Sequence, residues 1–257
     1  MKKILFAILF LTIIASACWA SVDGDYEVAI LNVKGTVKVD ENGNNNWIPA
    51  TTGMRLKKNA GIMTEKGAKA DIVYDAEGLN IVTIKENSKI TIAEAMTLLQ
   101  DGSVFVKFDN LQKGSTFKVK TPNAVCAIRG SGMGVDYLQG MTIVVAYEHN
   151  VYVKGIDPAT GREVTQEVTI PQGWKETIQA GITPEPPVEL TENEQKIWDA
   201  WVEVVAQTTE NKEESTTEKK EETKKEELQN LNENIDNQTG IVDTKDIDQK
   251  QTISNER

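Results

Sequence analysis

The chain has 257 residues, a formal net charge of −11 at pH 7, two cysteines and a single histidine, His149. One histidine and two cysteines are too few to supply the ligands of a typical zinc site. A nucleophilic triad would have to use His149. An acidic chain without a basic patch is not expected to bind nucleic acid. We therefore predict no catalytic residue, no metal site, no cofactor and no enzymatic activity.

The first twenty residues have the layout of a signal peptide. Lys2 and Lys3 precede an almost unbroken apolar run over residues 4–17. This run is shorter than the roughly 20 apolar residues that span a bilayer, and small residues at positions 18 and 20 suit cleavage after Ala20. We expect an exported protein, periplasmic or extracellular.

A second interpretation of the same segment is a lipoprotein. The residues before Cys18 form a degenerate lipobox, Ala15-Ser16-Ala17, in which Ala15 replaces the usual larger aliphatic residue. Lipidation of Cys18 would anchor the chain, and only then do we expect it to meet a membrane. An uncleaved N-terminal anchor is a third interpretation. If Cys18 is removed, Cys126 alone remains, in an apolar stretch that predicts a small buried side chain rather than a reactive thiol.

Residues 26–178 predict an all-β domain. Short runs alternate apolar and polar residues and are broken by Gly, Asn and Asp about every ten residues, the spacing of a sandwich or roll. We expect an antiparallel β-sandwich or roll, because no crossover helices are present for a parallel α/β fold. Asp157-Pro158 and Thr160-Gly161 predict a hairpin between residues 151–154 and 163–170.

A linker and one amphipathic helix, residues 179–206, follow the β region. Thr191 and Glu194 form a capping box at the start of the helix, and Trp198 and Trp201 fall on one apolar face, so we expect the helix to dock. Residues 207–257 contain 14 acidic and 8 basic residues and no aromatic residue. This composition predicts a disordered acidic tail.

Other polar motifs have structural interpretations that outweigh the chemical ones. His149 lies in a tight turn between two strands and should tolerate the left-handed conformation there. The Asn-rich loop over residues 40–46 is weak evidence for calcium because no closing glutamate follows at the required spacing. Glycines at 130, 132 and 134 are followed by a β pattern rather than by a helix, so they predict a strand kink and not a phosphate loop.

A specific motif runs from Lys120 to Ser131, with Thr-Pro at residues 121–122 and Arg-Gly-Ser at residues 129–131. Together with Gly35-Thr36-Val37, Trp47, the Gly-x-x-Leu of residues 53–56 and Gly61-Ile62-Met63-Thr64, it resembles the FecR-type domain. The resemblance covers about residues 28–153. Ser131 stands where the family has Thr, Lys58-Asn59-Ala60 where it favours Gly-Asp, and Glu148-His149-Asn150 where it favours Glu-Gly. The family-motif residues, structural or binding, are Thr121, Pro122, Arg129, Gly130 and Ser131.

The resemblance implies the fold and an interaction role on the exported side of the membrane. The family's namesake couples a periplasmic domain through a membrane helix to a sigma factor, but here only a signal peptide precedes the domain, so we do not expect a transmembrane anti-sigma mechanism. We expect a non-enzymatic binding module that recognises a protein or other envelope ligand, with a sheet face or edge receiving a peptide strand. A structural envelope protein with a tethering tail and a carbohydrate-binding protein are alternatives. Arg129 is expected to brace the glycine kink by donating to backbone carbonyls or a carboxylate rather than to contact a ligand.

Overall fold

The computed structural model describes residues 28–208 except 76–77, 110, 112–113, 165 and 181–185. Within these residues the chain is mostly β-strand, with one C-terminal helix, so the all-β prediction is confirmed. The strands are β1 Val28–Lys34, β2 Val37–Asp40, β3 Ile48–Pro49, β4 Arg55–Leu56, β5 Gly61–Thr64, β6 Lys69–Val73, β7 Asn80–Ile84, β8 Lys89–Ala93, β9 Met96–Phe108, β10 Phe117–Lys120, β11 Ala124–Ile128, β12 Ser131–Leu138, β13 Met141–Glu148, β14 Val151–Gly155, β15 Val168–Ile170, β16 Trp174–Gln179 and β17 Val188–Glu189.

The strands form two sheets that share one long strand, β9. Sheet A has the order β4-β1-β6-β7-β9-β12-β13-β16-β17. Sheet B has the order β3-β2-β5-β8-β9-β10-β11-β14-β15. The chain therefore changes sheet repeatedly, for example between β11 and β12, between β13 and β14 and between β15 and β16.

Strand β9 changes sheet at Gly102. Its first half pairs with β8 and β10 in sheet B, and its second half pairs with β7 and β12 in sheet A. Gly102 has φ +89°, and a Cβ atom there would lie 2.5 Å from the Cα of Ser88. The Ser88 hydroxyl accepts a hydrogen bond from the backbone N–H of Ser103 at 2.9 Å, which fixes the chain just beyond the kink. Only glycine fits this conformation and this close approach.

The apolar faces of the two sheets form one core. Alternate residues of each strand point inwards, as the period of two requires, and most of the side chains in this core are aliphatic. Phe108 and Phe117 stack with their ring centroids 4.0 Å apart, and Tyr74 meets Phe117 edge-on at 5.0 Å. The core also includes Ala60 and Ala68, which lie in connections between the two sheets.

One pairing departs from the antiparallel prediction. Strand β10 runs parallel to the first half of β9, with Lys118 opposite Met96 and Lys120 opposite Leu98. The connection from Phe108 returns to the start of β9 without a crossover helix among the described residues. The first half of β9 has β8 on one side, and β10 pairs with its other side. Beyond Gly102 the strand belongs to sheet A, where β7 and β12 are its neighbours.

The hairpin across residues 157–161 and the extension beyond residue 178 complete the sheets. Val151 pairs with Ile170 and Val153 with Val168, as predicted, although β15 is shorter than the expected strand. Sheet A continues through β17, where Trp174 pairs with Glu189. The edge strands β3, β4, β15 and β17 are only two or three residues long.

The chain divides at residues 191 and 192 into two compact units, and the second contains the helix α1, residues 192–208. The helix begins directly after Thr191, where the capping box predicted its start. Within it, the rings of Trp198 and Trp201 lie 4.6 Å apart, and Trp198 is 1% exposed. Across residues 28–208, apart from the gaps given above, no helix has the length and apolar character needed to span a membrane. The predicted signal peptide, Cys18 and most of the predicted acidic tail lie outside the described residues.

Candidate functional site

A cleft of about 420 Å³ lies where three turns between the two sheets meet. The first turn, Arg129 and Gly130, joins β11 to β12. The second, His149 and Asn150, joins β13 to β14, and the third contains Gln172 and joins β15 to β16. Ser131 and Tyr152, from the strands beside these turns, complete the lining, and we refer to the whole as the Arg129 cleft.

Each of the three turns contains a residue in the left-handed conformation. Gly130 has φ +88°, His149 has φ 52° and Gly173 has φ +82°. Such residues reverse the chain within a few positions, so that it leaves one sheet and enters the other. The prediction that His149 is a turn residue in this conformation is confirmed. Its backbone N–H also donates to the Gln172 side-chain oxygen at 3.3 Å, which joins the second turn to the third.

Arg129 is placed differently from the sequence-based expectation. Its guanidinium carbon lies 4.3 Å from the centroid of the Tyr152 ring, and the side chain is exposed at the mouth of the cleft. Ala127 and Tyr152 are paired across β11 and β14, which brings the ring beneath the arginine two residues further along. Among the described residues no carbonyl or carboxylate forms a hydrogen bond or ion pair with the guanidinium, which packs on an aromatic face, so the predicted brace is not seen there.

Ser131 lies in the lining of the cleft with its hydroxyl buried. The residue is 3% exposed, and its Oγ has no hydrogen-bond partner among the described residues. Its backbone pairs with Phe108, which holds the residue at the start of β12. A buried hydroxyl without a partner is unusual in folded proteins, since it loses its hydration without compensation. The Ser131 hydroxyl is therefore an unsatisfied polar group beside the cleft.

The acidic residue next to the cleft is already paired. Glu148 precedes His149, and its carboxylate contacts Lys107 Nζ at 3.0 Å, while Asp109 contacts the same nitrogen at 2.8 Å. Burial alone would lower the pKa of Lys107, but the hydrogen bonds and charges of these two carboxylates outweigh it and raise that pKa. The negative charge of Glu148 is thus balanced by Lys107 rather than by Arg129.

The Thr-Pro part of the family motif precedes β11, whereas Arg129 follows that strand. Thr121 and Asn123 are buried before the strand begins, whereas Pro122 between them is exposed. The Asn123 side-chain nitrogen donates to the carbonyls of Gly140 and Ile178, both at 3.0 Å. The motif is therefore split by β11 into a buried polar network at Thr121 and an open cleft at Arg129.

The glycine run has the structural role that the sequence predicted. The register between β12 and β13 shifts between Gly132 and Met133, which is a bulge. A Cβ atom on Gly134 would lie 3.0 Å from Tyr147 and 3.3 Å from Phe105, so these aromatic rings occupy the space of a side chain.

The remaining sequence candidates have local structural roles. Cys126 is fully buried, as predicted, and burial together with the charge of Glu176 raises the pKa of its thiol. The Asp40 carboxylate accepts the backbone N–H groups of Asn44 and Asn45, at 3.1 and 2.7 Å, and so organises the Asn-rich loop. No metal-binding group of His, Cys, Asp and Glu is present among the described residues.

Sequence reasoning found Arg129, Gly130 and Ser131 but missed the residues that face them. Asn150, Tyr152 and Gln172 lie up to 43 positions further along the chain. The available signal was that the turns after β11, β13 and β15 all contain residues suited to positive φ, which is typical of tight reversals. That these three reversals meet at one cleft depends on the strand order, which the sequence pattern does not specify.

Comparison with known proteins supports the FecR resemblance. The family model described as FecR protein matches residues 60–152, which include β5 to β13, the Thr-Pro and Arg-Gly-Ser segments and the start of β14. The family is regulatory rather than enzymatic. No curated protein sequence matches the chain.

Two crystal structures of a candidate anti-sigma factor from Parabacteroides distasonis ATCC 8503, at 1.65 and 2.50 Å resolution, are similar to the chain. Each is 17% identical, with a TM-score of 0.40, over 55% of this chain. The match covers 64% of that chain in the first and 63% in the second, less than two thirds of its length.

Proposed function

Starting from a FecR domain at residues 60–152, we propose that this chain is an exported, non-catalytic interaction module that recognises a protein or other envelope ligand through the Arg129 cleft. The observation that carries this proposal is the cleft itself, where Arg129 and Ser131 of the family motif meet the turns after β13 and β15. Exposed polar residues on turns held by a rigid scaffold are the common setting of a binding site.

The short edge strands favour the cleft over a sheet edge as the recognition surface. Adding a peptide strand to a sheet requires a run of free backbone groups on an edge strand. Here β3, β4, β15 and β17 have two or three residues each, which is how sheets are protected from unwanted pairing. Recognition through side chains in a cleft needs no such edge.

The position of Trp47 argues against the alternative that the protein binds carbohydrate. A Cβ atom on Gly61 would lie 3.0 Å from the Trp47 ring, and Lys89 Nζ lies 5.5 Å from the centroid of the same ring. The indole therefore packs against β5 and β8 and is only partly available for stacking on a sugar ring. A structural envelope role with a tethering tail remains the second function within the proposal.

In the proposed arrangement, residues 1–20 are a signal peptide, residues 26–178 the binding domain, residues 179–206 the linker and helix, and residues 207–257 the acidic tail. The protein is then periplasmic or extracellular, or anchored through Cys18. Mass spectrometry of the mature N-terminus separates these destinations. A chain that starts at Ser21 supports soluble export, an acylated Cys18 establishes the anchor, and an intact Met1 contradicts cleavage.

Site-specific cross-linking tests the recognition surface. A photoreactive residue is introduced at Asn150 in the cleft or, as the control, at Thr52 in a loop that does not line it. Each purified protein is incubated with envelope extract, irradiated and examined for adducts by mass spectrometry. We expect a discrete adduct from position 150 and none from position 52. Equal adducts from both positions, or none from either, would contradict the proposal.

A further inference from the structure

The chemistry of the Arg129 cleft indicates the class of ligand. We propose that the cleft binds a peptide through a single carboxylate, with Arg129 holding the carboxylate and the side-chain amides of Asn150 and Gln172 holding neighbouring peptide groups. This inference rests on the proposed function, because it names the ligand class of the same cleft.

Arg129 presents an organised and unpaired charge. The Tyr152 ring covers one face of the guanidinium at 4.3 Å, which leaves the N–H groups around its edge pointing away from the ring. No carboxylate among the described residues forms an ion pair with Arg129, and Glu148, which directly precedes His149 of the cleft, contacts Lys107. A guanidinium held by stacking loses little side-chain entropy when a carboxylate forms two parallel hydrogen bonds with it.

Ser131 is a second polar group of the cleft that lacks a partner. It lines the cleft two residues from Arg129, it is 3% exposed, and its hydroxyl lacks a hydrogen-bond partner among the described residues. Leaving a buried hydroxyl unpaired is unfavourable, so a ligand oxygen that accepts its hydrogen bond gains affinity at this point. In this structure the hydroxyl is closed to solvent, so a ligand oxygen reaches it only when the groups covering it move aside.

A peptide carboxylate fits the cleft better than a polyanion does. The cleft offers one guanidinium, whereas phosphate recognition in proteins usually uses a cluster of arginines. The chain as a whole carries a net charge of −11, which repels a highly charged ligand at long range. The Gln172 amide nitrogen donates to no group among the described residues and is free to meet a peptide carbonyl. A volume of about 420 Å³ is within the usual range of ligand pockets and holds a few residues.

Two pairs of short peptides test the carboxylate. The first is acetyl-trialanine with a free C-terminal carboxylate and the same peptide with a C-terminal amide. The second is acetyl-Ala-Glu-Ala-amide and its Gln counterpart, so that a chain terminus and an acidic side chain are distinguished. Each is titrated into the ¹⁵N-labelled mature protein, and Kd is measured from the backbone shifts of the residues in the cleft. We expect binding by at least one carboxylate member and about tenfold weaker binding, or none, by its amide partner.

The variants assign the effect to Arg129. Arg129→Gln should weaken binding of the carboxylate peptide about tenfold or more, Arg129→Lys should weaken it less, and Ser131→Ala should weaken it about threefold or more. Arg162→Gln, at an exposed arginine outside the cleft, is the matched control and should leave Kd unchanged. The melting temperature of Arg129→Gln should stay close to that of the parent, because the side chain is exposed. Equal binding by the amide peptides, an unchanged Kd in Arg129→Gln, or tighter binding of inorganic phosphate or of a uronic acid than of the carboxylate peptide would overturn the inference.

The outcomes distinguish this inference from the proposed function. If the cross-linker at position 150 still captures its partner in the Arg129→Gln background, the cleft is a recognition surface but not a carboxylate site. If the carboxylate peptides bind as expected but position 150 gives no adduct with envelope extract, the carboxylate site stands and the envelope partner does not.

Discussion

The hydroxyl groups of Thr121 and Thr142 lie 2.7 Å apart inside the protein and share a hydrogen bond, although the residues are separated by 21 positions. Both also lie within hydrogen-bond distance of the side-chain oxygen of Asn123, which accepts, and the Asn123 nitrogen donates to the carbonyls of Gly140 and Ile178. This network joins the start of β11 to the β12–β13 hairpin and to β16. It gives Thr121 of the family motif a structural role.

Replacing Asn123 with Ala should destabilise the fold by about 2 kcal/mol or more, because two backbone carbonyls and two hydroxyls lose a buried partner. Urea unfolding followed by far-UV circular dichroism gives the free energy. Thr52→Val, at an exposed threonine, is the control and should change it by less than about 0.5 kcal/mol. A cost for Asn123→Ala no larger than that of the control would show that water replaces the network.

Gly102→Ala should be among the most damaging single substitutions in the β unit. The added methyl would lie 2.2 Å from the Ser88 hydroxyl and 2.5 Å from the Ser88 Cα, and the backbone at φ +89° is unfavourable for any other residue. We expect a loss of about 3 kcal/mol or more, or failure to fold. Gly155→Ala is the matched control, because its Cβ would meet Val164 at an ordinary 3.6 Å. Equal melting temperatures for the two variants would contradict the kink at Gly102.

Glu176 should make the protein less stable as the pH rises. Its side chain is 3% exposed, one carboxylate oxygen has no hydrogen-bond partner among the described residues, and burial raises its pKa above the ordinary value of 4.5. A carboxyl group whose pKa is raised by folding favours the folded state fully below the unfolded pKa, and this contribution is lost as pH rises through the folded pKa. Glutamine at this position cannot ionise, so Glu176→Gln should not show this loss of stability as the pH rises.

The measurement is the difference in unfolding free energy between Glu176→Gln and the parent from pH 4 to pH 8. This difference should shift in favour of the variant as pH increases. The same comparison with Glu41→Gln, at an exposed position, provides the reference. A difference for Glu176→Gln that follows the reference at every pH would mean that the carboxyl group is not desolvated in solution.

The sequence predicted most strands and the helix start, because alternation and capping act over a few residues. It failed where a local signal had a long-range cause. Asp101-Gly102 is a dipeptide typical of tight turns, yet β9 begins at Met96 and passes through Gly102 into the other sheet. Likewise, Arg129 was expected to find a backbone or acidic partner, because the position of Tyr152 beneath it depends on the pairing of β11 with β14.

The helix α1 and the residues after it differ sharply in composition. Trp198 and Trp201 are buried aromatic side chains, whereas residues 209–257 carry no aromatic residue and a strongly charged composition. We predict that α1 belongs to the folded protein and that the acidic tail is dispensable for folding. Burial of two tryptophans contributes several kcal/mol, about 2–3 each before entropy, and the tail has nothing comparable.

Two truncations, ending at Thr208 and at Thr191, separate these claims. The second removes α1 but keeps β17 and the hydrogen bond from the Leu190 N–H to the Gly173 carbonyl at 2.8 Å, so the sheet itself is not shortened. We expect the chain ending at Thr208 to melt within about 2 °C of the full-length protein, and the chain ending at Thr191 to melt at least about 5 °C lower, since 1 kcal/mol shifts the midpoint of a domain of this size by roughly 2–4 °C. Equal melting temperatures for the two truncations would show that α1 contributes nothing to the folded unit. A much lower melting temperature for the chain ending at Thr208 than for the full-length protein would instead show that the tail is part of the folded unit.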